Sequence, residues 1–592
     1  MLCAFVTISC SDWDDHYDAT SISTEEDVEI YSGDIVSYMK STSDVSSISA
    51  VFQSAGIYDS VFTDREYTFI VVSNDVYGDG SSIEDKDAYA EYCVADLSIS
   101  PSKLTDGFGI YTRSGKCVWV YDNDGTINLD EFNIEKKVKT DNGYVYYTDG
   151  ILTIRQSIYE YLNSLGDEYS IFKSLVARYE SLEFDEENSE IIGVTEDGST
   201  LYDSVLVVEN ELMDRYDENG IEVWNMRDES YVSTMFIPTN SQITNALNAA
   251  LDSIPFWLNR DTTEADRTKF EKWIVRACFV DSRLDEETVD PSASIFECVG
   301  GYQKTVDETA DSTTYDEIDP AYWHPGVNTV DVSNKINLSN GVAYYVEDFK
   351  IPNHVIIYRV KSRLYQLWNN MTTSQQDQYF RWTHFQDPGV LYDAQGEYEL
   401  SETLPTIYYH VLTAFPDDEA IADSLHCSVT YDGLIYNEDT DEILECNLPA
   451  GEYYLRMGFK HSLTYSISIY FNDELLIEDM VLYAQGSNYH FDRGAASEVA
   501  LNGVGEMYPE DFDVDYWQTI DEKAIAYDTD GYPVATITLE ESGNFTITID
   551  SYDIAYLYPE CGYDNTEDGR NKSNVAQLMM YHWCLRPTYN NY

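Results

Sequence analysis

Apolar and polar positions follow the same order twice along residues 34–355. The segments 34–40 and 157–163 carry matching apolar positions, and each leads into a second amphipathic stretch, at 48–55 and at 171–179. Apolar residues recur in these stretches at the spacing of one face of a helix. The pattern therefore predicts an internal repeat in which each copy begins with a pair of short helices.

A β-branched strand follows each helix pair. The strands at 68–72 and 234–237 are each followed closely by a serine or threonine and then an asparagine. Side-chain oxygens of these residue types accept hydrogen bonds from the first free N–H groups of a helix, so a helix is predicted to begin there. The capping pairs are Ser73-Asn74 in the first copy and Thr239-Asn240 in the second.

Each copy closes with an Asn-Gly pair and a β-rich run. Asn142-Gly143 opens the first of these runs, and Asn340-Gly341 opens the second. Asn-Gly is a strong signal for a tight turn between two strands, because both residues tolerate a positive φ angle. Each copy is therefore predicted to end in a strand that follows a turn.

The order of these elements resembles the fasciclin-like domain, over 34–155 and again over 157–355. A helix pair, a strand like the family's TVFAPTN box and a closing strand like its NGV box follow one another, and the second copy keeps Pro238-Thr239-Asn240. The resemblance implies two compact α/β domains that serve in adhesion or extracellular binding without catalysis. Neither copy has the Tyr-His dipeptide of adhesive members between its boxes, so integrin-type adhesion is not expected.

From Lys361 onward the pattern changes to alternating, tyrosine-rich strands separated by turn residues. Such alternation predicts an antiparallel β-sandwich. The sequence PAGEYYLRM at 449–457 resembles a strand of jelly-roll glycan-binding modules, although many sandwiches share this pattern. The predicted strands include 406–412, 452–459, 463–471, 535–539 and 544–549.

The first residues of the chain carry a pattern that indicates where the protein is located. An apolar run ends at Ser9 and Cys10, and four aspartates lie among the next eight residues. This pattern resembles the lipobox and acidic export tag of Bacteroidetes surface lipoproteins, which implies a lipid on Cys10 and a place on the outer membrane facing the exterior. The alternative is a soluble protein with a stray cysteine. Because the run is short and lacks basic residues, we expect translation to start upstream.

The predicted fold class is α+β, with two tandem fasciclin-like α/β domains followed by an antiparallel, jelly-roll-like β-sandwich. The second domain also carries an acidic insertion at 183–218, which we expect to be a surface loop of the kind that carries binding specificity. The predicted segments are the signal remnant 1–10, an acidic tether 11–33, the fasciclin-like domains 34–155 and 156–358, and the sandwich 359–592.

Charge excludes one class of partner. The chain has 34 basic and 108 acidic residues, a formal net charge of −74. Such a surface repels phosphate backbones, so nucleic-acid binding is not expected. A hydrophobic content of 43% is sufficient for ordinary buried cores.

The cysteines suit an extracytoplasmic protein. Cys3 would leave with the signal and Cys10 would carry the lipid, and the others fall into four sequential pairs. A disulfide that closes a loop of about 20 residues contributes about 3 kcal/mol. Disulfides are therefore predicted, and buried reduced thiols are the alternative. The candidate pairs are Cys93/Cys117, Cys278/Cys298, Cys427/Cys446 and Cys561/Cys584.

One segment partly matches the EF-hand calcium loop. Asp122, Asp124 and Glu131 stand at ligand positions of that pattern, which makes Ca²⁺ the one cofactor that the sequence suggests. Val120 stands where the first acidic ligand belongs, and an apparent strand precedes the motif. A plain acidic β-turn is therefore the favoured interpretation.

An aromatic group lies at the start of the C-terminal region. It could form a sugar-stacking platform, and its spacing equally suits a packed interdomain helix, which is the interpretation we favour. Its members are Trp368, Tyr379, Phe380, Trp382 and Phe385.

No nucleophile elbow, zinc-protease, Walker or dinucleotide motif occurs in the sequence, so the chain is predicted not to be an enzyme. We expect a surface lipoprotein that binds an extracellular ligand, a glycan in the first place, or that assembles with a TonB-dependent glycan importer and its lipoprotein lid. One alternative is an adhesin that binds a host or neighbouring-cell glycoprotein. A second is a hydrolase with its site in the C-terminal domain.

Overall fold

The computed structural model describes most of the chain and contains both helices and many strands, which confirms the mixed α+β class. Within this part of the chain, no helix is long and apolar enough to cross a membrane. The residues described are 28–123, 125–194, 200–290, 295–307, 312–318, 320–357, 359–381, 383–386, 412–416, 426–437, 440–459, 465–482, 532–553 and 578–592.

The first repeat packs four helices against a mainly antiparallel sheet in the strand order β3-β2-β8-β7-β6-β5-β4, with β1 beside β7. Its helices are α1 (Ile35–Ser41), α2 (Ser46–Ser54), α3 (Asn74–Tyr77) and α4 (Lys86–Tyr92). Its strands are β1 (Val28–Ile30), β2 (Tyr67–Val71), β3 (Val94–Ala95), β4 (Gly109–Tyr111), β5 (Cys117–Asn123), β6 (Thr126–Leu129), β7 (Phe132–Thr140) and β8 (Gly143–Thr148).

The second repeat has the same core and additional strands. Its helices are α5 (Ile158–Ser164), α6 (Ser170–Ala177), α7 (Asn240–Trp257) and α8 (Glu264–Ala277). Its first strands are β9 (Glu180–Val194), β10 (Thr200–Asn210), β11 (Arg215–Tyr216), β12 (Glu222–Trp224), β13 (Ser233–Ile237) and β14 (Phe279–Val280). The rest are β15 (Phe296–Glu297), β16 (Tyr302–Asp307), β17 (Ser312–Glu317), β18 (Tyr322–Trp323), β19 (Ile336–Leu338) and β20 (Gly341–Tyr345).

The central strands of the two repeats are equivalent. The order β14-β13-β20-β19 matches β3-β2-β8-β7, and β2/β8 and β13/β20 are both parallel pairs. Gly143 lies opposite Tyr67 and Gly341 opposite Ser233. A Cβ atom at either glycine would lie 1.8 Å from the carbonyl oxygen of its partner, so only glycine allows this close approach. The internal repeat in the sequence is thus a structural repeat.

Equivalent asparagines join distant elements in both repeats. The Asn142 and Asn340 side chains accept hydrogen bonds, each 2.8 Å long, from the first helical N–H groups of α1 and α5, at Ile35 and Ile158. Helix starts leave such N–H groups without a partner, and here the closing turn of each repeat supplies one. The predicted caps are also present: the Ser73 hydroxyl accepts from Val76 N, and Thr239 likewise caps α7.

The C-terminal region consists mainly of two antiparallel sheets, β23-β24-β33-β28-β31 and β22-β25-β32-β29-β30. Its helices are α9 (Asn353–Ile356), α10 (Leu364–Asn369) and α11 (Thr373–Tyr379). Its strands are β21 (Val360–Arg363), β22 (Phe380–Arg381), β23 (Thr383–Gln386), β24 (Leu412–Pro416), β25 (His426–Asp432), β26 (Leu434–Asn437), β27 (Glu442–Glu445), β28 (Gly451–Phe459), β29 (Tyr465–Phe471), β30 (Glu474–Leu482), β31 (Tyr532–Leu539), β32 (Thr546–Asp553) and β33 (Leu578–Pro587).

Both C-terminal sheets contribute to one hydrophobic cluster, which continues into the second repeat. Ile469 and Ile549 come from one sheet and Leu455 and Trp583 from the other, and all four are fully buried. The predicted strand at 406–412 lies almost wholly outside the described residues, whereas the other predicted strands are present. The hydrophobic alternation along these strands is therefore explained by burial of one face of each sheet.

Direct contacts hold the two repeats together. The Trp119 indole N–H lies 3.0 Å from the Ser339 carbonyl oxygen, and the Arg283 guanidinium stacks on the Trp119 ring at 4.6 Å from its centroid. Lys116 Nζ lies 2.7 Å from carboxylate oxygens of both Glu160 and Glu229. Because these side chains are at most half exposed and are shared between the repeats, we expect the repeats to move as one unit.

The first repeat begins earlier than the sequence suggested. Val28–Ile30 forms β1, which pairs in parallel with β7, although residues 28–33 belong to the predicted tether. Residues 1–27, including Cys10, lie outside the described residues. Any tether that carries a lipid would therefore end before Val28.

Candidate interaction surface

The most unusual surface of the described chain is a hairpin formed by β9 and β10, here called the insertion hairpin (Glu180–Asn210). It covers most of the acidic insertion predicted at 183–218. The two strands form a two-stranded sheet of their own, outside the sheets that build the second repeat. An isolated two-stranded ribbon is only marginally stable in water, so a natural one of this length is a candidate for a partner-covered element.

Large apolar side chains on the insertion hairpin are exposed to solvent. The exposed fractions are 69% for Val194, 65% for Leu182 and 63% for Ile191. So many exposed large apolar side chains on one element mark a candidate interaction site. The other exposed apolar residues of the hairpin are Phe184, Ile192, Leu201, Val205, Leu206, Val207 and Val208.

The register of the hairpin separates two faces. Leu206 pairs with Phe184 and Val208 with Leu182, and the Phe184 ring contacts the Tyr202 ring edge-on at 5.0 Å between centroids. Since side chains alternate along a strand, these five residues share what we call the apolar face.

The opposite face of the hairpin carries acidic side chains. Glu183 pairs with Val207, and Glu190 lies directly opposite Asp203. Like charges in directly opposed positions destabilise a ribbon. The whole hairpin contains no lysine or arginine, so nothing within it neutralises this face, which we call the acidic face.

The base of the insertion hairpin is anchored by a buried polar network. Asn210 is fully buried; its amide donates to the Val176 carbonyl at 3.0 Å, and its side-chain oxygen accepts from Met213 N at 3.0 Å. Asp214 accepts from Asn210 N at 2.7 Å and pairs with Arg227. Burial raises the pKa of Asp214, which the Arg227 charge opposes. The hairpin thus extends from a fixed point on the second repeat.

A second hairpin, formed by β16 and β17, contacts the end of β10. Lys304 on β16 forms an ion pair with Glu209, with 2.9 Å between nitrogen and oxygen, and Gln303 donates to Glu211 at 2.8 Å. These contacts are confined to the final residues of β10 and the residue after it. Residues 200–208 of β10 lie beyond them.

The calcium-like motif forms a β-hairpin between β5 and β6. Asp122 accepts a hydrogen bond from Gly125 N at 2.7 Å, and Glu131 pairs with Arg155 at 2.7 Å. Asp124 lies outside the described residues. In the described part of the chain, no group of three acidic, histidine or cysteine side chains is placed to hold a metal ion. Calcium binding at this motif stays a prediction.

Asp130 beside this motif carries a buried charge that the sequence did not single out. Its side chain is fully buried, accepts from Trp119 N at 3.1 Å and Tyr92 Oη at 3.2 Å, and pairs with Arg155 at 3.0 Å. Burial raises the pKa of Asp130 to about 6, although Arg155 opposes the shift. Because Asp130 fixes the backbone of Trp119, it supports the contact between the repeats.

The stabilising contribution of Asp130 is expected to fall as the pH rises from about 4 to about 6 and then to stay constant. The folded state keeps the proton up to about pH 6, whereas an unfolded aspartate loses it near pH 4, so protonation favours the folded state in this window. The free energy of unfolding of the wild type, relative to Asp130→Asn, should be about 2–3 kcal/mol lower at neutral pH than at about pH 4. Asp122→Asn is the exposed control, and a pH-independent difference for Asp130→Asn would contradict the account.

The cysteines are buried in the structure. Cys93, Cys117, Cys278, Cys298, Cys446 and Cys584 all have buried side chains. The side chain of Cys427 and the whole of Cys561 lie outside the described residues. Burial raises the pKa of Cys278 well above its usual value, and the neighbouring Cys298 raises it further. The four predicted disulfides stay predictions.

The aromatic group at the start of the C-terminal region is partly accounted for. Trp368 and Tyr379 are partly buried and pack against the large hydrophobic cluster, which favours the core interpretation for these two residues. The side chains of Phe380, Trp382 and Phe385 lie outside the described residues. The insertion hairpin is therefore the strongest candidate for a functional surface.

No protein-family model matches the chain, and a search of curated proteins gives no match.

Proposed function

We propose that this protein is a non-catalytic binding and assembly protein, attached to the outer face of a bacterial outer membrane by a lipid on Cys10. In this proposal the two repeats are fasciclin-like domains and the C-terminal region is a jelly-roll-like β-sandwich. The equivalent strand registers and asparagine contacts of the repeats support the first assignment. The shared hydrophobic cluster of the two C-terminal sheets supports the second.

The observation that carries the proposal is the exposed apolar surface of the insertion hairpin. Burying one large apolar side chain contributes about 1.5–3 kcal/mol, so leaving many of them in water forgoes a substantial stabilisation unless a partner covers them. The buried network at Asn210 holds the hairpin in place on the second repeat. The element therefore has the properties of a presented docking surface.

A protein partner fits this surface better than a glycan. Open strand edges and aliphatic side chains bind polypeptide strands, whereas sugar rings are bound by exposed aromatic rings and polar groups. Assembly with an outer-membrane importer and its lipoprotein lid, and adhesion to a glycoprotein, both satisfy this requirement. Glycan binding by the sandwich is a separate prediction of the sequence.

The proposal is tested by removing the insertion hairpin from the full chain in cells. Leu182 and Val208 are a cross-strand pair, so residues 183–207 can be replaced by an Asn-Gly turn that keeps the base of the hairpin. The variant should remain folded and membrane-bound, and should lose the partner protein that chemical cross-linking attaches to the wild type.

The matched control shortens only residues 195–199 to Asn-Gly and keeps both strands, so it should retain the partner. An unchanged set of cross-linked proteins after removal of 183–207 would contradict the proposal. Shortening of a polysaccharide or a protein by the purified wild-type chain would contradict its non-catalytic part.

A further inference from the structure

The open edge of β10 presents backbone donors to a partner. Val205 N donates to the Ser189 side chain on β9 at 2.9 Å, so this N–H group points toward β9. Because N–H groups alternate in direction along a strand, those of Leu206 and Val208 face the opposite side. An edge of this kind is a template for a further strand.

The side chains next to this edge define what such a strand must carry. On the apolar face, Leu206 and Val208 are 54% and 37% exposed and offer aliphatic surface. On the acidic face, β10 itself contributes Asp203, Val205 and Val207, and the carboxylates of Glu183 and Glu190 lie on β9, one strand further from this edge. Residues of an added strand would alternate between these two faces.

We propose that the edge of β10 binds a strand of a partner protein in which apolar and basic residues alternate. The apolar residues of that strand would cover the apolar face. On the acidic face, the methylene chains of its lysines or arginines would pack beside Val205 and Val207, and their charges would neutralise Asp203 and the opposed Glu190. Strand addition supplies backbone hydrogen bonds for affinity and side-chain alternation for specificity. This inference rests on the proposed function, because it names the partner chemistry of the same surface.

Charge argues against a second copy of this chain as the occupant. The hairpin has no basic residue, and the chain as a whole has a net charge of −74. Pairing two such hairpins edge to edge would bring two acidic faces side by side, which costs free energy. A basic strand would be attracted by the carboxylates of the hairpin, whereas a second copy of the hairpin would be repelled by them.

The test uses the full chain and a labelled peptide in which lysine and valine alternate over about eight residues, which lies within the normal range of strand lengths. Fluorescence anisotropy at about 0.15 M salt, where long-range attraction is screened, measures the dissociation constant. A second peptide has the same composition in two blocks. The alternating peptide is expected to bind saturably, and the block peptide at least about tenfold more weakly, because only alternation matches both faces.

Two variants locate the binding to the edge. Leu206→Pro removes an outward N–H and should weaken binding of the alternating peptide about tenfold, whereas Leu206→Val keeps that N–H and should stay within about threefold. The double variant Glu190→Lys/Asp203→Lys should prefer a peptide of alternating glutamate and valine. This reversal of preference does not depend on whether the proline variant folds.

Several results would overturn the inference. Equal binding of the two lysine peptides, or no reversal in the double variant, would show general attraction to an acidic protein. Dimerisation of the chain through the hairpin would make a second copy the occupant. Protection of the outward Leu206 and Val208 amides from hydrogen exchange in the free chain would show that another segment already covers the edge. Peptide binding as expected with no cross-linked partner in cells would instead leave the edge assignment standing and contradict the proposed function.

Discussion

Replacing Gly341 with alanine is expected to unfold the second repeat. The new Cβ atom would lie 1.8 Å from the Ser233 carbonyl oxygen, and the φ angle of Gly341 is +155°. Both the contact and the backbone conformation oppose a side chain, and β13 and β20 would have to separate. We expect a loss of more than about 4 kcal/mol, which is comparable to the whole stability of many domains.

Urea unfolding followed by circular dichroism measures this loss, and limited proteolysis shows which repeat is affected. Gly166→Ala is the matched control, because nothing lies within 4 Å of a Cβ atom there. We expect that control to change the free energy of unfolding by less than about 1 kcal/mol. Unfolding of Gly341→Ala at the wild-type urea concentration would contradict the close approach of the two strands.

Replacing Cys10 with alanine is expected to move the protein from the membrane fraction to the soluble fraction. The thiol at this position is the only group of the predicted lipobox that can carry the lipid, and no helix in the described ranges can span a membrane. Cell fractionation with detection of the full chain measures the distribution.

Cys3→Ala is the control for the lipid anchor, because Cys3 belongs to the segment that would be removed. It should remain in the membrane fraction. Retention of Cys10→Ala in the membrane fraction, or release of Cys3→Ala as well, would refute a lipid anchor at Cys10.

The repeat could be predicted from the sequence because its signals are local. Helix periodicity and the capping residues Ser73 and Thr239 act within a few positions of the elements that they define. The Asn-Gly signal predicts the turn one residue too late: the turn before β20 is formed by Ser339 and Asn340, and Gly341 is already the first residue of the strand. Glycine is required there by the approach of β13, which no local pattern indicates.

Long-range roles were not predictable from the sequence. The sequence predicts that Asn74 and Asn240 belong to the caps of the following helices, yet their side-chain oxygens accept from Ser47 N and Ile171 N in preceding helices of the same repeat. The partners lie far along the chain and meet only in the folded protein. The buried role of Asp130 could not be predicted for the same reason. Its burial depends on packing between segments that are distant in the sequence, and no local sequence pattern indicates such packing.

The sequence indicated which segment forms the candidate surface, but it did not indicate that this segment is a β-hairpin. The sequence predicts a surface loop here, because insertions between the elements of a fold usually map to surface loops. The valine-rich run Val205–Val208 and the alternation of Leu182 and Phe184 with acidic residues were the available signals for strands. Pairing of β9 with β10 explains why apolar residues recur within such an acidic segment.

The central claim is that the insertion hairpin is the surface by which this protein binds its partner. A photo-activated cross-linking residue at Leu206 in cells tests it most directly. Leu97 in the first repeat is the matched control position, because the exposed fractions of the two side chains are 54% and 55%. The account predicts that position 206 cross-links to a partner protein through a segment of alternating apolar and basic residues, and that position 97 does not. Cross-links to that partner from position 97 alone, or from both positions equally, would contradict it.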